Sequence, residues 1–179
     1  MSRPARDRLI EAASDLFYHR GIHATGIDEV IARAGVAKAS LYNNFASKDE
    51  LVAAYLRGAL ERARELFATC LAEPDPPARL RALFSRLARG AATSDFAGCP
   101  FANAAAELGP SEPGLVVVAQ FDAALADFFA RAVEDSPDSP LVRRLVVCYV
   151  GALHGAKVRR DPRVVEDAAD LALASWEHR

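Results

Sequence analysis

The stretch TGIDEVIARAGVAKASLYNNFASKDEL, residues 25–51, decides how the rest of the chain is read. Thr25 stands three residues before Asp28, the spacing of a capping box, in which a hydroxyl and a carboxylate satisfy amides that a helix start leaves free. Ile27, Val30 and Ile31 then recur at three- and four-residue steps and mark the inward face of a helix. Gly35 follows at once, where a glycine permits the left-handed backbone of a sharp turn. A short helix over about Lys38 to Phe45 comes next, and Ser47 with Glu50 repeats the capping-box spacing at the start of a long one.

Two helices joined by Gly35, Val36 and Ala37 have the dimensions of a helix-turn-helix, which presents its second helix to the DNA major groove. At about 100° per residue, Ala37, Leu41 and Phe45 fall on one side of that second helix, while Ala39, Ser40, Tyr42 and Asn43 lie on or beside the other. An apolar face for the core therefore coexists with a polar face for reading. Asn43 has the paired donor and acceptor that suit adenine, Ser40 can bond either kind of base edge, and Ala39 can touch a thymine methyl. Thr25, Lys38, Tyr42 and Lys48 fall where backbone phosphates would run, at or near helix starts whose free amides favour anions. The plainer reading of such residues is the wet face of a small helix.

Working outward, prolines at 4, 74, 76, 77, 100, 110, 113, 137, 140 and 162 punctuate the chain, because each removes an amide donor and disfavours helix just before it. A first helix is expected from about Pro4 to Arg20, with Leu9, Ile10, Ala13, Leu16 and Phe17 on one face and Gly21 as its stop. The long helix that begins near Ser47 continues through Leu51, Tyr55, Leu56, Leu60, Ala63, Phe67 and Leu71. Beyond it, Leu80, Leu83, Phe84 and Leu87 mark a fifth helix, residues 100–108 a sixth, and Phe121, Leu125, Phe128, Phe129 and Val133 a seventh. The eighth, about Leu141 to Arg159, contains the apolar run LVVCYVGAL (145–153), which leaves no polar face in its middle and must be covered on all sides. The ninth runs from about Val164 to His178. Strand signals are almost absent.

The chain of 179 residues is 51% hydrophobic and 26% charged, a composition that buries a core and excludes disorder. No continuous apolar run reaches the roughly 18 residues of a membrane helix, and the first residues lack a signal peptide's apolar stretch. A soluble, cytoplasmic protein with no membrane partner is expected. Its three cysteines, Cys70, Cys99 and Cys148, make no metal-binding spacing, and an odd count suits a reducing compartment, so no metal and no cofactor is expected. The net charge is −2, and the first 50 residues hold seven basic and seven acidic side chains, so a nucleic-acid reading rests on arrangement alone.

Residues 16–51, LFYHRGIHATGIDEVIARAGVAKASLYNNFASKDEL, resemble the N-terminal helix-turn-helix of the TetR/AcrR transcriptional regulators. The matching positions are Phe17, Gly21, Thr25, Ile31, Ala32, Ala34-Gly35-Val36, Leu41-Tyr42, Phe45, Ser47-Lys48 and Leu51, within the first third of the chain. The resemblance implies an all-α fold of nine helices: an N-terminal three-helix DNA-binding domain over residues 1–46, and a C-terminal ligand-binding and dimerisation domain over residues 47–179. It carries DNA contacts over to Thr25, Lys38, Ala39, Ser40, Tyr42, Asn43, Asn44 and Lys48. Two positions depart from the pattern. Ala37 stands where the family commonly has a capping serine or threonine, a loss of roughly 0.5 to 2 kcal/mol, and Ala39 where glycine is common.

The C-terminal domain varies with the ligand in this family, and GCPFANAAAEL (98–108) is similar to the start of helix six in a subgroup with multidrug-type or reactive-metabolite inducers. A largely apolar inducer is expected in a pocket lined by Phe67, Phe84, Phe101, Phe121, Phe128 and Tyr149, with Asn103, Glu107 and His154 as polar groups. Plain core packing is the competing account of each aromatic, and a bonded core or interface position that of His154. Cys99 opens a helix after glycine, which can lower a thiol's pKa, against the plainer reading of a buried inert thiol. The last two helices, with Gly151 and Gly155 four residues apart, are expected to pair two copies in a twofold dimer.

The function expected is a ligand-responsive DNA-binding repressor bound as a homodimer to a double-stranded operator. A helical small-molecule carrier that no longer reads DNA is the alternative. An enzyme is disfavoured: Cys99 has no identifiable general base, and His19, His23, His154 and His178 are scattered without a triad or metal pattern. No catalytic residue is expected.

Overall fold

The computed structural model describes residues 3–179, and these form nine helices and no strand. In chain order they are α1 (Ala5–Arg20), α2 (Ile27–Ala34), α3 (Lys38–Asn44), α4 (Lys48–Leu71), α5 (Pro76–Ala91), α6 (Pro100–Glu107), α7 (Pro113–Val133), α8 (Pro140–Arg159) and α9 (Arg163–Glu177). Prolines open or immediately precede most of them, where a missing amide is harmless and a fixed φ favours the first turn. Side-chain caps reinforce two of these proline starts. Asp75 accepts from the Ala78 amide at 2.8 Å ahead of α5, and Ser139 from the Val142 amide at 3.2 Å ahead of α8.

The chain divides into two compact units. The first runs to Leu60 and also takes in Pro100–Ala119, while the second comprises Glu61–Cys99 and Gln120–Arg179. This differs from the expected division after residue 46. Residues 51–56 of α4 are all buried, so the start of that helix belongs to the core of the helix-turn-helix, and α6 folds into the same unit from 40 residues further on. Linear sequence carries no sign of that return.

In the first unit, Leu9, Ala13, Leu16, Phe17, Val30, Leu41, Phe45, Leu51, Tyr55 and Leu56 are buried, and Phe17 packs on Tyr55 with ring centroids 5.9 Å apart. In the second, Phe67 stacks on Phe128 at 4.7 Å and tilts against Phe121 at 6.4 Å, and Phe121 reaches Tyr149 at 6.1 Å. Offset aromatic pairs of this kind add to the burial of large rings. Gly155 in α8 faces α9 of the same chain, since a Cβ there would lie 2.8 Å from Val164 Cγ1. Of the two small residues expected at a dimer contact, only Gly151 has open space beside it. α7 has the length and mean hydropathy of a membrane span although Gln120, Asp122, Asp127 and Arg131 interrupt its apolar residues, and Phe121, Leu125, Phe128, Phe129 and Val133 turn its apolar face into the core.

Candidate nucleic-acid interface

The turn between α2 and α3 is built by backbone hydrogen bonds. Gly35 is left-handed, with φ 61°, its amide donates to Ala32 O at 3.2 Å, and the Val36 amide donates to Ile31 O at 3.3 Å. This is the Schellman arrangement that ends a helix. Arg8 of α1 donates Nη1 to the Gly35 carbonyl at 3.0 Å and to the Ala34 carbonyl at 3.3 Å, pinning the turn from outside. Nothing in the local pattern of 25–51 points to Arg8, because the contact spans 26 and 27 residues.

α3 then presents two faces. Leu41 and Phe45 are buried, with the Arg6 guanidinium 5.4 Å from the Phe45 ring centre. Lys38, Ala39, Tyr42 and Asn43 are exposed, Tyr42 at 54%, and Ser40 is half-buried. Ala37 does not join the inner face as its register suggests. It is the exposed residue ahead of the helix, with an extended backbone and no side-chain cap. Asn44, half-buried, donates its Nδ2 to Ser40 O at 2.7 Å. Lys48, half-exposed, is the first residue of α4. Below it the Ser47 hydroxyl accepts the Glu50 amide at 3.2 Å, and the Glu50 carboxylate accepts the Ala46 amide at 2.6 Å, so the second capping box forms with its carboxylate one residue further back than the motif prescribes.

The first capping box does not form. Gly26, not Thr25, precedes α2, and Thr25 is 0% exposed. Its hydroxyl donates inward, to Gly21 O at 2.8 Å and Leu16 O at 3.4 Å, so in the free protein it ties the loop to the end of α1 rather than facing solvent. A buried hydroxyl satisfies carbonyls that a helix end leaves open, and that demand outranks local capping propensity. Asp28 is instead free to accept from Lys38 Nζ at 2.9 Å, and this carboxylate holds the ammonium pKa above the ordinary lysine value.

The residues expected to line a pocket fall differently. Phe101, Asn103 and Glu107 belong to the first unit, and Phe67, Phe84, Phe121, Phe128, Tyr149 and His154 to the second. Glu107 is engaged by the backbone: Oε1 accepts from the Ile22 amide at 3.1 Å and Oε2 from the His23 amide at 2.7 Å. His154 is exposed on the outer side of α8 with Val147, Val150, Gly151 and Val158, so it is neither a core nor a pocket histidine within this chain. Within the second unit, a groove of 710 Å³ runs between α4 and α7. Phe67 and Phe128 line it with Leu71, Ala123 and Ala124, and Arg64, Asp127, Arg131 and Gln120 add polar groups. Phe84, Phe121 and Tyr149 are buried away from it in the core, and burial pushes the Tyr149 phenol well above its ordinary pKa. Cys99 is buried, and no cluster of metal-ligating side chains occurs among the described residues.

Residues 9–55 match the family model for bacterial regulatory proteins of the tetR family. The transcriptional activator FasR of Mycolicibacterium smegmatis is 52% identical over 52 residues, covering 29% of this chain but 24% of that regulator's length. The transcriptional repressor DhaR of Mycobacterium sp. is 29% identical over 97% of this chain and 79% of its own. A crystal structure of a TetR transcriptional regulator from Streptomyces avermitilis superposes with a TM-score of 0.79, at 32% identity, over 95% of this chain and 98% of that one. With its helix-turn-helix, its nine-helix architecture and a relative matched end to end, the chain belongs to the TetR family of bacterial regulatory proteins.

Proposed function

We propose that this protein is a cytoplasmic transcriptional regulator, a repressor that binds a near-palindromic DNA operator as a homodimer and leaves it when a small molecule occupies the second unit. The observation that carries the reading is the division of α3: Leu41 is fully buried while Lys38, Ala39, Tyr42 and Asn43 face solvent on the opposite side. The major groove admits such a helix, phosphate contacts from Lys38, Tyr42 and Lys48 would fix its register, and Asn43 and Ser40 would read base edges.

One copy offers too small a surface for tight recognition, and two half-sites about 34 Å apart are the usual remedy. The outer face of α8 supports pairing. Val147 is 71% exposed and Val158 67%, and with Leu171 of α9 at 62% they leave an outer apolar face of α8 and α9 uncovered within one chain. An apolar helix face of this kind is satisfied by a second copy of itself about a twofold axis. The groove between α4 and α7 has the size and the apolar lining with few polar groups that suit a small, largely apolar ligand. A ligand there would tilt α4, which follows the reading helix directly, and a 5- to 150-fold loss of operator affinity requires only about 1 to 3 kcal/mol of coupling.

Selection of duplexes from a random pool, followed by titration of the selected duplex against salt, tests the reading. Binding that is sequence-selective and weakens steeply with salt is expected, because phosphate contacts release counterions. Absent or salt-independent binding would favour a helical ligand carrier instead.

A further inference from the structure

α6 ends on a residue that its own helix disfavours, since the carboxylate of Glu107 lies at the negative end of the helix dipole. Its placement has a different origin. The two oxygens accept the Ile22 and His23 amides at 3.1 and 2.7 Å, and His23 Nδ1 lies 3.7 Å from Oε2. These amides belong to the loop that leads from α1 into α2. Gly21 makes the approach possible: its φ of 94° is one that glycine tolerates, and a Cβ would sit 3.1 and 3.3 Å from the carboxylate oxygens. Seven residues beyond Glu107, Gly114 in the first turn of α7 packs on α4, where a Cβ would lie 3.3 Å from both Leu56 Cδ1 and Val52 Cγ1 and 2.6 Å from Leu108 Cδ1. The α6–α7 corner thus grips the segment that enters the helix-turn-helix and the helix that leaves it.

We propose that Glu107 is a positioning residue for DNA binding, holding the loop ahead of α2 so that α2 and α3 keep the arrangement competent for the operator. The proposal rests on the reading of α3 as the DNA-recognition helix. Charge-assisted bonds to two successive amides fix both the position and the direction of the loop, which a single neutral bond would not. Loosening them adds conformations of α2 and α3 that the duplex must select against, and apparent affinity falls by the fraction that remains competent.

The test uses the full-length protein, amide hydrogen exchange resolved at Ile22 and His23, and affinity for the duplex selected by the wild type against a random duplex of equal length. In Glu107→Ala, exchange at both amides should accelerate at least tenfold with helix content unchanged, selected-duplex affinity should drop at least fivefold, and random-duplex affinity should hold. Glu107→Gln, which keeps one strong acceptor, should recover part of both effects. Gly114→Ala should lower selected-duplex affinity while leaving exchange at Ile22 and His23 at the wild-type rate, because it disturbs the other grip. Faster exchange with unchanged affinity would reduce Glu107 to a local loop bond and overturn the proposal, as would unchanged exchange. Failure of the wild type to select any duplex is a separate result, visible before any variant is made, and it would overturn the DNA reading together with this role for Glu107.

Discussion

Lys38 Nζ donates a 2.9 Å hydrogen bond to Asp28 Oδ1, joining the first residue of α3 to the first turn of α2. The cation proposed to meet a phosphate is therefore already partnered in the free protein, by a carboxylate that would itself lie beside the duplex. Both groups are solvated, so the pair adds little to stability. Asp28→Asn should tighten binding to all duplexes a few-fold, by releasing Lys38 and removing a repelling charge. Lys38→Ala should weaken all duplexes alike and lower the salt slope by about 1. Fluorescence anisotropy across a salt series reads both effects, and an unchanged slope in Lys38→Ala would remove this lysine from the phosphate contacts.

Asn43 is exposed at the far end of the same face, positioned to read a base rather than to hold the backbone. Asn43→Ala is expected to relax preference at one base position, by about 1 to 3 kcal/mol of lost discrimination, with little change in salt dependence. Competition among singly substituted operator duplexes measures it. A uniform loss over all duplexes would move Asn43 into the phosphate-contacting set.

Thr25 separates a structural role from a DNA contact. Thr25→Val should destabilise the fold by about 1 to 3 kcal/mol, because the Gly21 carbonyl loses its 2.8 Å partner inside the protein. The melting temperature should fall by roughly 2 to 4 °C for each kcal/mol in a chain of this size. The salt slope of DNA binding should stay at the wild-type value. A lower slope would mean that residue 25 meets a phosphate after all.

At the start of α4, Ser47→Ala removes the hydroxyl that accepts the Glu50 amide at 3.2 Å. A loss of about 0.5 to 2 kcal/mol in denaturant unfolding is expected. Since Ala37 supplies no side-chain cap to α3, the reverse change, Ala37→Ser, should recover stability of similar size.

Val147→Asp places a charge on the uncovered face of α8, where the valine is 71% exposed and its removal should leave the fold of one chain intact. Sedimentation at micromolar concentration should show a dimer for the wild type and a monomer for the variant, with unchanged helix content. A wild-type monomer would end the pairing proposal.

The helices are legible because their signals are local: proline at first turns, glycine at Gly21 and Gly35, and apolar residues at helical steps mark all nine elements, although the marks of the fifth and seventh, from Leu80 and Phe121, begin inside helices that start at Pro76 and Pro113. The two faces of α3 were legible for the same reason, as periodicity at 100° per residue already separates Leu41 and Phe45 from Tyr42 and Asn43. Thr25 was misread because its hydroxyl had two local offers, amides ahead and carbonyls behind, and only the packed loop determines which is reachable. Phe84, Phe121, Tyr149 and His154 lie away from the groove that Phe67 and Phe128 line, because helical phase says only that a side chain is on one face, while which neighbour covers that face depends on how helices far apart in sequence come together.

The sequence by itself determined the elements, the turn at Gly35 and the polar, exposed face of α3, since hydrogen bonds within a few residues and periodic burial are properties of short segments. Tertiary structure alone decided that Arg8 pins that turn and that Glu107, 84 residues beyond His23, holds the loop ahead of it. Contacts of such span depend on the closure of the whole chain around its core, and no local pattern of residues encodes them.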